Sequence, residues 1–360
     1  MYKINLKLKS FVLLIVCMTM GFNTSAQTYN ADDKEGLRVF LRQPSAQVGK
    51  INAEQAGLEI ADTANWQTDE AWIAKIVTIT WNNEKPKRLT KIDIPVNNIP
   101  IQVTAGMCGG EDKVYVDYSL CFAGTLDANK WSRLTHLICY NNRLTALDVS
   151  KCTKLTVLYC GSNLLTKLDV SKNTALTELF CGSNQLTSLD VSKNTALTRF
   201  ECSKNKLTKL DVSTNTSLTE LYCGSNQLTS LDISTNTALT QLECSENRLT
   251  ELDVREQKAL NILWCQNNQL TELDIKANTK LTYLDCSFNQ LTALNVGANV
   301  ELEGLFCSSN RLIKLDVSTN TALGRLDCSS NKLIELDVKA NTKLTYLDCS
   351  SNQLHGNYDK

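Results

Sequence analysis

Cysteine recurs at one fixed spacing through more than half of this 360-residue chain, and nothing else in the sequence narrows the fold so sharply. The series is Cys139, Cys160, Cys181, Cys202, Cys223, Cys244, Cys265, Cys286, Cys307, Cys328 and Cys349, every gap being 21 residues. Three residues after each cysteine comes an asparagine: Asn142, Asn163, Asn184, Asn205, Asn226, Asn247, Asn268, Asn289, Asn310, Asn331 and Asn352. Five residues before each cysteine stands a leucine, from Leu134 to Leu344. The unit reads L-T-x-L-x-C-x-x-N-x-L-T-x-L-D-V-S-x-N-T-x. A fixed period of this length makes the chain a stack of similar coils that grows along one axis, in place of the two ordinary domains its length would allow.

Inside one unit the apolar period is two. Leu176, Leu179 and Cys181 fit a short strand with its apolar side chains inward and Phe180 outward, and Leu186, Leu189 and Val191 repeat that pattern ten residues later. Turn-forming residues fill the bends at Gly182-Ser183-Asn184 and Ser192-Lys193-Asn194-Thr195. No helical period of useful length is present. A lone unit would bury about six side chains at roughly 1.5–3 kcal/mol each, against ordering of its backbone at roughly 1–2 kcal/mol per residue, so only an array is expected to fold. The asparagines are expected to turn the chain while satisfying backbone groups inside the bend, because a carboxamide both donates and accepts hydrogen bonds. Aspartate there could only accept, and would stack charge about every 4.8 Å along the array.

The segment L-x-x-L-x-C-x-x-N-x-L resembles the signature of leucine-rich-repeat proteins, with cysteine in a slot that usually holds leucine. Within that family the chain is similar to the internalin class, specifically the internalin J type, whose 21-residue units also carry a cysteine ladder. The resemblance spans roughly Leu134 to Leu354. It implies a curved, right-handed leucine-rich-repeat solenoid with a parallel sheet and little helix, usually a device for binding proteins or cell surfaces. It does not identify the ligand, because repeats diverge while keeping their scaffold.

The flanks read differently. Lys3, Lys7 and Lys9 precede an uncharged apolar run from Phe11 to Met20, and Thr24-Ser25-Ala26 supplies small residues, so residues 1–26 read as a signal peptide cleaved after Ala26. Acylation at Cys17 is the alternative, disfavoured by Val16 and by apolar Met18, Met20 and Phe22 beyond it. The run is too short to span a bilayer in the mature chain. Residues 27–115 read as a small α+β N-terminal cap region with degenerate repeat elements, 116–354 as the solenoid and 355–360 as a short tail. Helices are expected after Asp32 and over Asp69 to Ile76, and a strand over Ile76–Trp81. Asp33, Leu37, Phe40, Trp72, Ile79-Thr80-Trp81 and Leu89–Asp93 resemble the helical cap of plant-type leucine-rich-repeat proteins without that family's cysteine pair. Trp66, Trp72 and Trp81 are read as cap core. Arg88–Ile94 reads as a further repeat strand. Leu126–Lys130 reads as part of a degenerate repeat whose ladder position is Cys121.

Composition excludes some function classes. Removing Lys3, Lys7 and Lys9 from the 37 basic residues leaves 34 against 38 acidic ones, a formal charge of −4. That balance argues against a nucleic-acid or anionic-membrane partner. The chain has two histidines, His136 and His355, and no nucleophile elbow, phosphate loop or zinc-protease motif, so it is read as no enzyme, with no cofactor. The ladder cysteines lie in a line without histidine support, which suits no metal. Their side-by-side Cβ vectors suit disulfides poorly. They are read as buried, free thiols filling the core; Cys108 and Cys121 are the better disulfide candidates. Asp148, Asp169, Asp190, Asp211, Asp232, Asp253, Asp274, Asp316 and Asp337 form an outward column, read as solvated rather than calcium-binding.

The columns that vary carry the functional expectation. Just before each cysteine stand Ile138, Tyr159, Phe180, Glu201, Tyr222, Glu243, Trp264, Asp285, Phe306, Asp327 and Asp348. Two positions earlier stand His136, Val157, Glu178, Arg199, Glu220, Gln241, Ile262, Tyr283, Gly304, Arg325 and Tyr346. A solvated sheet face does not require so many aromatic side chains, and exposed rings among charges are the stuff of binding hot spots. The expected partner site is Tyr159, Phe180, Glu201, Tyr222, Glu243, Trp264, Tyr283 and Phe306, the rings as anchors and Glu201, Glu243 and Glu220 setting charge preference. The partner is expected to be a protein or cell-surface ligand. Edge-to-edge self-association into a structural assembly and thiol redox chemistry are the alternatives.

Overall fold

The computed structural model describes residues 78–81, 89–93, 123–129 and 131–355. Fifteen strands follow in chain order: β1 (Thr78–Trp81), β2 (Leu89–Asp93), β3 (Ala123–Asp127), β4 (His136–Ile138), β5 (Arg143–Asp148), β6 (Val157–Tyr159), β7 (Glu178–Phe180), β8 (Arg199–Glu201), β9 (Glu220–Tyr222), β10 (Gln241–Glu243), β11 (Ile262–Trp264), β12 (Tyr283–Asp285), β13 (Gly304–Phe306), β14 (Arg325–Asp327) and β15 (Tyr346–Asp348). Thirteen make one sheet in the order β1-β2-β4-β6, then β7 to β15 in sequence; β3 and β5 pair separately. The described residues contain no helix. The architecture is the parallel-strand solenoid that the 21-residue period dictates.

Register follows the period. Leu221, Leu242 and Leu263 are paired neighbours, as are Tyr222, Glu243 and Trp264. Each central residue of the regular strands up to β14 is fully buried, Phe200 taking the leucine slot in β8. The eleven-member cysteine column lies inside. All its members from Cys139 to Cys328 are buried, those from Cys160 onward as free thiols, and Cys349 is half-buried. Burial pushes the Cys181 thiol well above its usual pKa, and the adjacent Cys160 and Cys202 push the same way. Below that pKa these groups are neutral thiols, and they pack as small apolar side chains.

The asparagine column stitches coil to coil. Asn226 Nδ2 donates to Cys223 O at 3.1 Å and Gly224 O at 3.2 Å in its own bend, and to Cys202 O of the preceding coil at 3.1 Å. Its Oδ1 accepts the Leu207 amide at 3.0 Å. The residue before each asparagine is left-handed, with Ser225 at φ 50° and Phe288 at φ 52°. A second column closes the other bend: Asn215 Nδ2 donates to Val191 O at 3.1 Å and Asn194 O at 2.9 Å. Gln257 keeps the first of these bonds, to Ile233 O, at 2.8 Å. Cys152 does the same with one donor, its Sγ lying 3.3 Å from Ala128 O.

The second extended side of the coil forms no continuous sheet. Past the β3–β5 pair, a single backbone bond crosses it between most neighbouring coils, such as Gln185 N to Leu165 O at 2.8 Å. Two further donors go to side chains: Leu186 N to Asn205 Oδ1 and Ser192 N to Asp190 Oδ1. Apolar alternation alone had made the two sides look equivalent; this diversion of donors separates them.

The start of the array also departs from the even period. Lys91 of β2 pairs with His136 of β4, 45 residues on, while Leu126 of β3 pairs with Leu147 of β5, 21 on. Strands β2 and β3 therefore belong to the two sides of one leading coil, with the extra length between them. The sequence reading gave the Leu126 segment its own ladder position at Cys121, whereas the sheet position of that coil is occupied by β2. Strand β1 lies antiparallel on β2 and covers the sheet's first edge. The expected helices, Trp66, Trp72, Cys108, Cys121 and the leader fall outside the described residues.

Candidate functional site

Strand alternation sends the residues on either side of each buried leucine to one face. These flanking positions are half-buried in β6 to β12, because side chains on strands about 4.8 Å apart cover one another. The eight expected partner residues all lie on this face.

At one end, Tyr159 and Phe180 stack with centroids 4.6 Å apart and planes at 19°. The Tyr159 hydroxyl donates to Glu178. Burial, then that carboxylate, pushes the Tyr159 hydroxyl up to about 12. Arg199 covers the other side of the Phe180 ring, 5.0 Å from its centroid. Its Nε donates to Glu220 at 2.9 Å and its Nη1 to Glu178 at 3.4 Å. Sequence reasoning placed Arg199 in the outward column but gave it no role; the available signal was a lone arginine between two glutamates in register.

Tyr222 donates to Gln241 Oε1 at 2.7 Å and lies 3.2 Å from Glu220 Oε2. Burial, then Glu220, pushes its hydroxyl up to about 12. Further along, Tyr283 stacks on Phe306 at 5.8 Å and 26°. Its ring lies over Gly304, where a Cβ would come within 2.7 Å of Tyr283 Cζ.

Glu201 and Glu243 do not act as the outward charges the sequence suggested. Glu201 turns into the bend, where Oε2 accepts the Gly182 amide at 2.8 Å and Oε1 the Ser203 amide at 3.0 Å. Glu243 likewise accepts Gly224 N at 2.9 Å and Ser245 N at 3.1 Å, with the Ser245 hydroxyl also on Oε1. A Cβ at Gly182 or Gly224 would collide with these carboxylates, so glycine in one coil admits glutamate in the next. Strand alternation cannot show this, because it separates inward from outward but not upright from folded-over. Burial raises the Glu201 pKa, opposed by the two amides.

The aspartate column sits on the second side. Each side chain caps its own bend, as Asp190 Oδ1 accepts Ser192 N at 2.8 Å, and that bond lowers its pKa. A shallow groove of about 470 Å³ beside Asp148 and Asp169 is lined by Thr145, Leu147, Thr166 and Lys167, away from the ring-bearing face. Among the described residues no three His, Cys, Asp or Glu side chains are grouped to hold a metal ion, and no helix is long and apolar enough to cross a membrane.

The family described as leucine-rich repeats in two copies matches residues 132–173. No curated protein matches the chain. Among solved structures, it is similar to the functional domain of InlJ from Listeria monocytogenes, described as including a cysteine ladder. Identity is 46%, with 63% of this chain and 53% of that one covered and a TM-score of 0.62. The chain thus spans about half the length of that relative. A leucine-rich-repeat protein of Leptospira interrogans is 29% identical over 63% of each chain, with a TM-score of 0.59. The internalin InlF of Listeria monocytogenes shares the fold over 91% of each chain, with 20% identity and a TM-score of 0.58.

Proposed function

Because this chain is a leucine-rich-repeat protein of the internalin type, built on a cysteine ladder, we propose that it is an exported binding protein that grips a protein or cell-surface ligand with the ring-bearing face of its sheet. The observation that carries this reading is the contrast between columns. The inward leucines, cysteines and asparagines repeat coil after coil, while the outward positions vary and gather Tyr159, Phe180, Tyr222, Trp264, Tyr283 and Phe306. Core packing dictates the first set. The second is half-solvated, and its rings combine large contact area with low side-chain entropy. Export rests on the leader-like residues 1–26, and a role without catalysis on a sequence that carries two histidines and no nucleophile elbow, phosphate loop or zinc-protease motif.

Trp264 is the anchor to test. It is half-buried on the open face, so truncation removes contact area without opening the core. The full chain and Trp264→Ala would be screened against arrays of extracellular proteins and glycans. Ligands retained by the wild type and lost by the variant, at unchanged melting temperature, support the reading. Ligands indifferent to both Trp264→Ala and Tyr222→Ala would place binding on another surface.

A further inference from the structure

We propose that the sheet face from Tyr222 to Phe306 binds a proline-rich segment of a partner protein, held in the polyproline II conformation along the axis of the coils; this rests on the sheet-face reading and specifies its chemistry. Tyr222, Trp264 and Phe306 stand 42 residues apart, with Glu243 and Asp285 midway between them. Coil packing repeats every 21 residues and does not call for this doubled period. Register pairs Glu243 with Tyr222 and Trp264, and Asp285 with Trp264 and Phe306, so a ring stands on every second strand. Two strand spacings are about 9.6 Å. A polyproline II chain advances about 9.3 Å per turn of three residues, so it stays within about 0.6 Å of all three rings. An extended strand repeats one face about every 6.7 Å and falls out of step at the second ring. Two turns of an α-helix cover about 10.8 Å and drift by about 2.4 Å over the same stretch.

Hydrogen bonding on this stretch complements such a chain. Polyproline II presents carbonyl acceptors with no internal partners, and its prolines carry no N–H. The carboxylates between the rings are bonded into their own coils: Glu243 accepts Gly224 N at 2.9 Å and Ser245 N at 3.1 Å, and Asp285 accepts Ser287 N at 3.0 Å. Donors remain. The half-buried Trp264 has no acceptor for its indole N–H among the described residues. Gln241 gives its Oε1 to the Tyr222 hydroxyl at 2.7 Å, and its Nε2 has no acceptor among the described residues. Proline rings pack on aromatic ones, and a stiff chain loses little entropy on docking. Ile262 beside Trp264 adds apolar area, and Tyr283 stacked on Phe306 widens the last ring. The stretch has defined ends. Phe180 also lies 42 residues before Tyr222, but Tyr159 stacks on it and Arg199 lies 5.0 Å from its centroid. Arg325 stands one coil beyond Phe306, and between the two arginines neither outward column contains lysine or arginine.

The test uses the full chain and three probes: an oligoproline of about three turns, a glycine–serine peptide of the same length, and a linear β-1,4-linked glucose oligosaccharide. Calorimetric titration should show the oligoproline binding at least about tenfold tighter than either of the others. Trp264→Ala should weaken it about tenfold. Trp264→Phe keeps a ring and removes the N–H, and should weaken it about threefold, the scale of one hydrogen bond. Both variants should keep the wild-type melting temperature, and Phe180→Ala should bind oligoproline as the wild type does. Oligoproline binding that is absent, equal to that of the glycine–serine peptide, or indifferent to Trp264→Ala would overturn the proposal. Tighter binding of the oligosaccharide would overturn it too and make the face a glycan site. If array ligands still require Trp264 in any of these events, the sheet-face reading stands with other chemistry. If none does, that reading fails as well.

Discussion

Replacing Asn226 by aspartate exchanges one terminal NH2 for an oxygen, and the structure allows its effect to be worked out. The native Nδ2 lies within hydrogen-bond distance of Cys202 O, Cys223 O and Gly224 O, and Oδ1 holds the Leu207 amide. Asn226 is nearly fully buried. Aspartate can keep the Leu207 bond, but it removes both N–H donors and aims an oxygen at three carbonyls. An abandoned buried partner costs about 1–3 kcal/mol, so the two lost donors together destabilise by roughly 2–6 kcal/mol. Part of this can be recovered by protonating the carboxyl, which restores one donor, so the loss should shrink as pH falls. In a solenoid the damage should stay with neighbouring coils. Hydrogen exchange followed by mass spectrometry is therefore the assay. Protection should fall in the coils around Cys202 and Cys223 and stay near wild type around Cys328. Asn226→Asp with unchanged exchange at every segment would refute the role assigned to the column.

Other perturbations follow from the same contacts. Gly182→Ala should destabilise by about 1–3 kcal/mol by driving Glu201 off the Gly182 and Ser203 amides, and should be nearly neutral in a Glu201→Ala background; equal effects of Gly182→Ala in both backgrounds would contradict this. The Glu201 pKa is raised in the folded state, so its contribution is most favourable at low pH and is lost as pH rises from the usual glutamate range through the folded value. Melting temperatures of wild type and Glu201→Gln should therefore diverge with pH in that window, and a pH-independent difference would count against a buried, ionisable Glu201. Phe288 is exposed and left-handed, so Phe288→Asn should gain about 0.5–1 kcal/mol by relieving a conformation that bulky side chains disfavour; a lowered melting temperature would show that its ring makes a stabilising contact.

Much of the scaffold could be read from residue spacing. Cys139 to Cys349 and Asn142 to Asn352 each hold one place in a fixed period, and only a coil of constant length puts like residues side by side. The register, the buried thiols and the dual bonding of the asparagines follow from that. Pairing at the leading coil did not, because β2 reaches β4 across 45 residues, and the intervening length hides the period. On the open face, alternation gave inward against outward and nothing finer. It could not show Glu201 and Glu243 folded into bends made roomy by Gly182 and Gly224, since that contact joins different columns of adjacent coils. Nor could it show Arg199 lying on Phe180, which depends on the rotamers of two long side chains.

The central claim is that successive coils lie in register with their sulfur atoms inside the stack. Site-resolved thiol alkylation of the native chain tests it most directly. Cys139, Cys160, Cys181, Cys202, Cys223, Cys244, Cys265, Cys286, Cys307 and Cys328 should remain unlabelled until denaturant is added, with half-buried Cys349 the first of the column to react. Rapid labelling of the middle cysteines under native conditions would mean that the column faces water, and the in-register solenoid would be wrong.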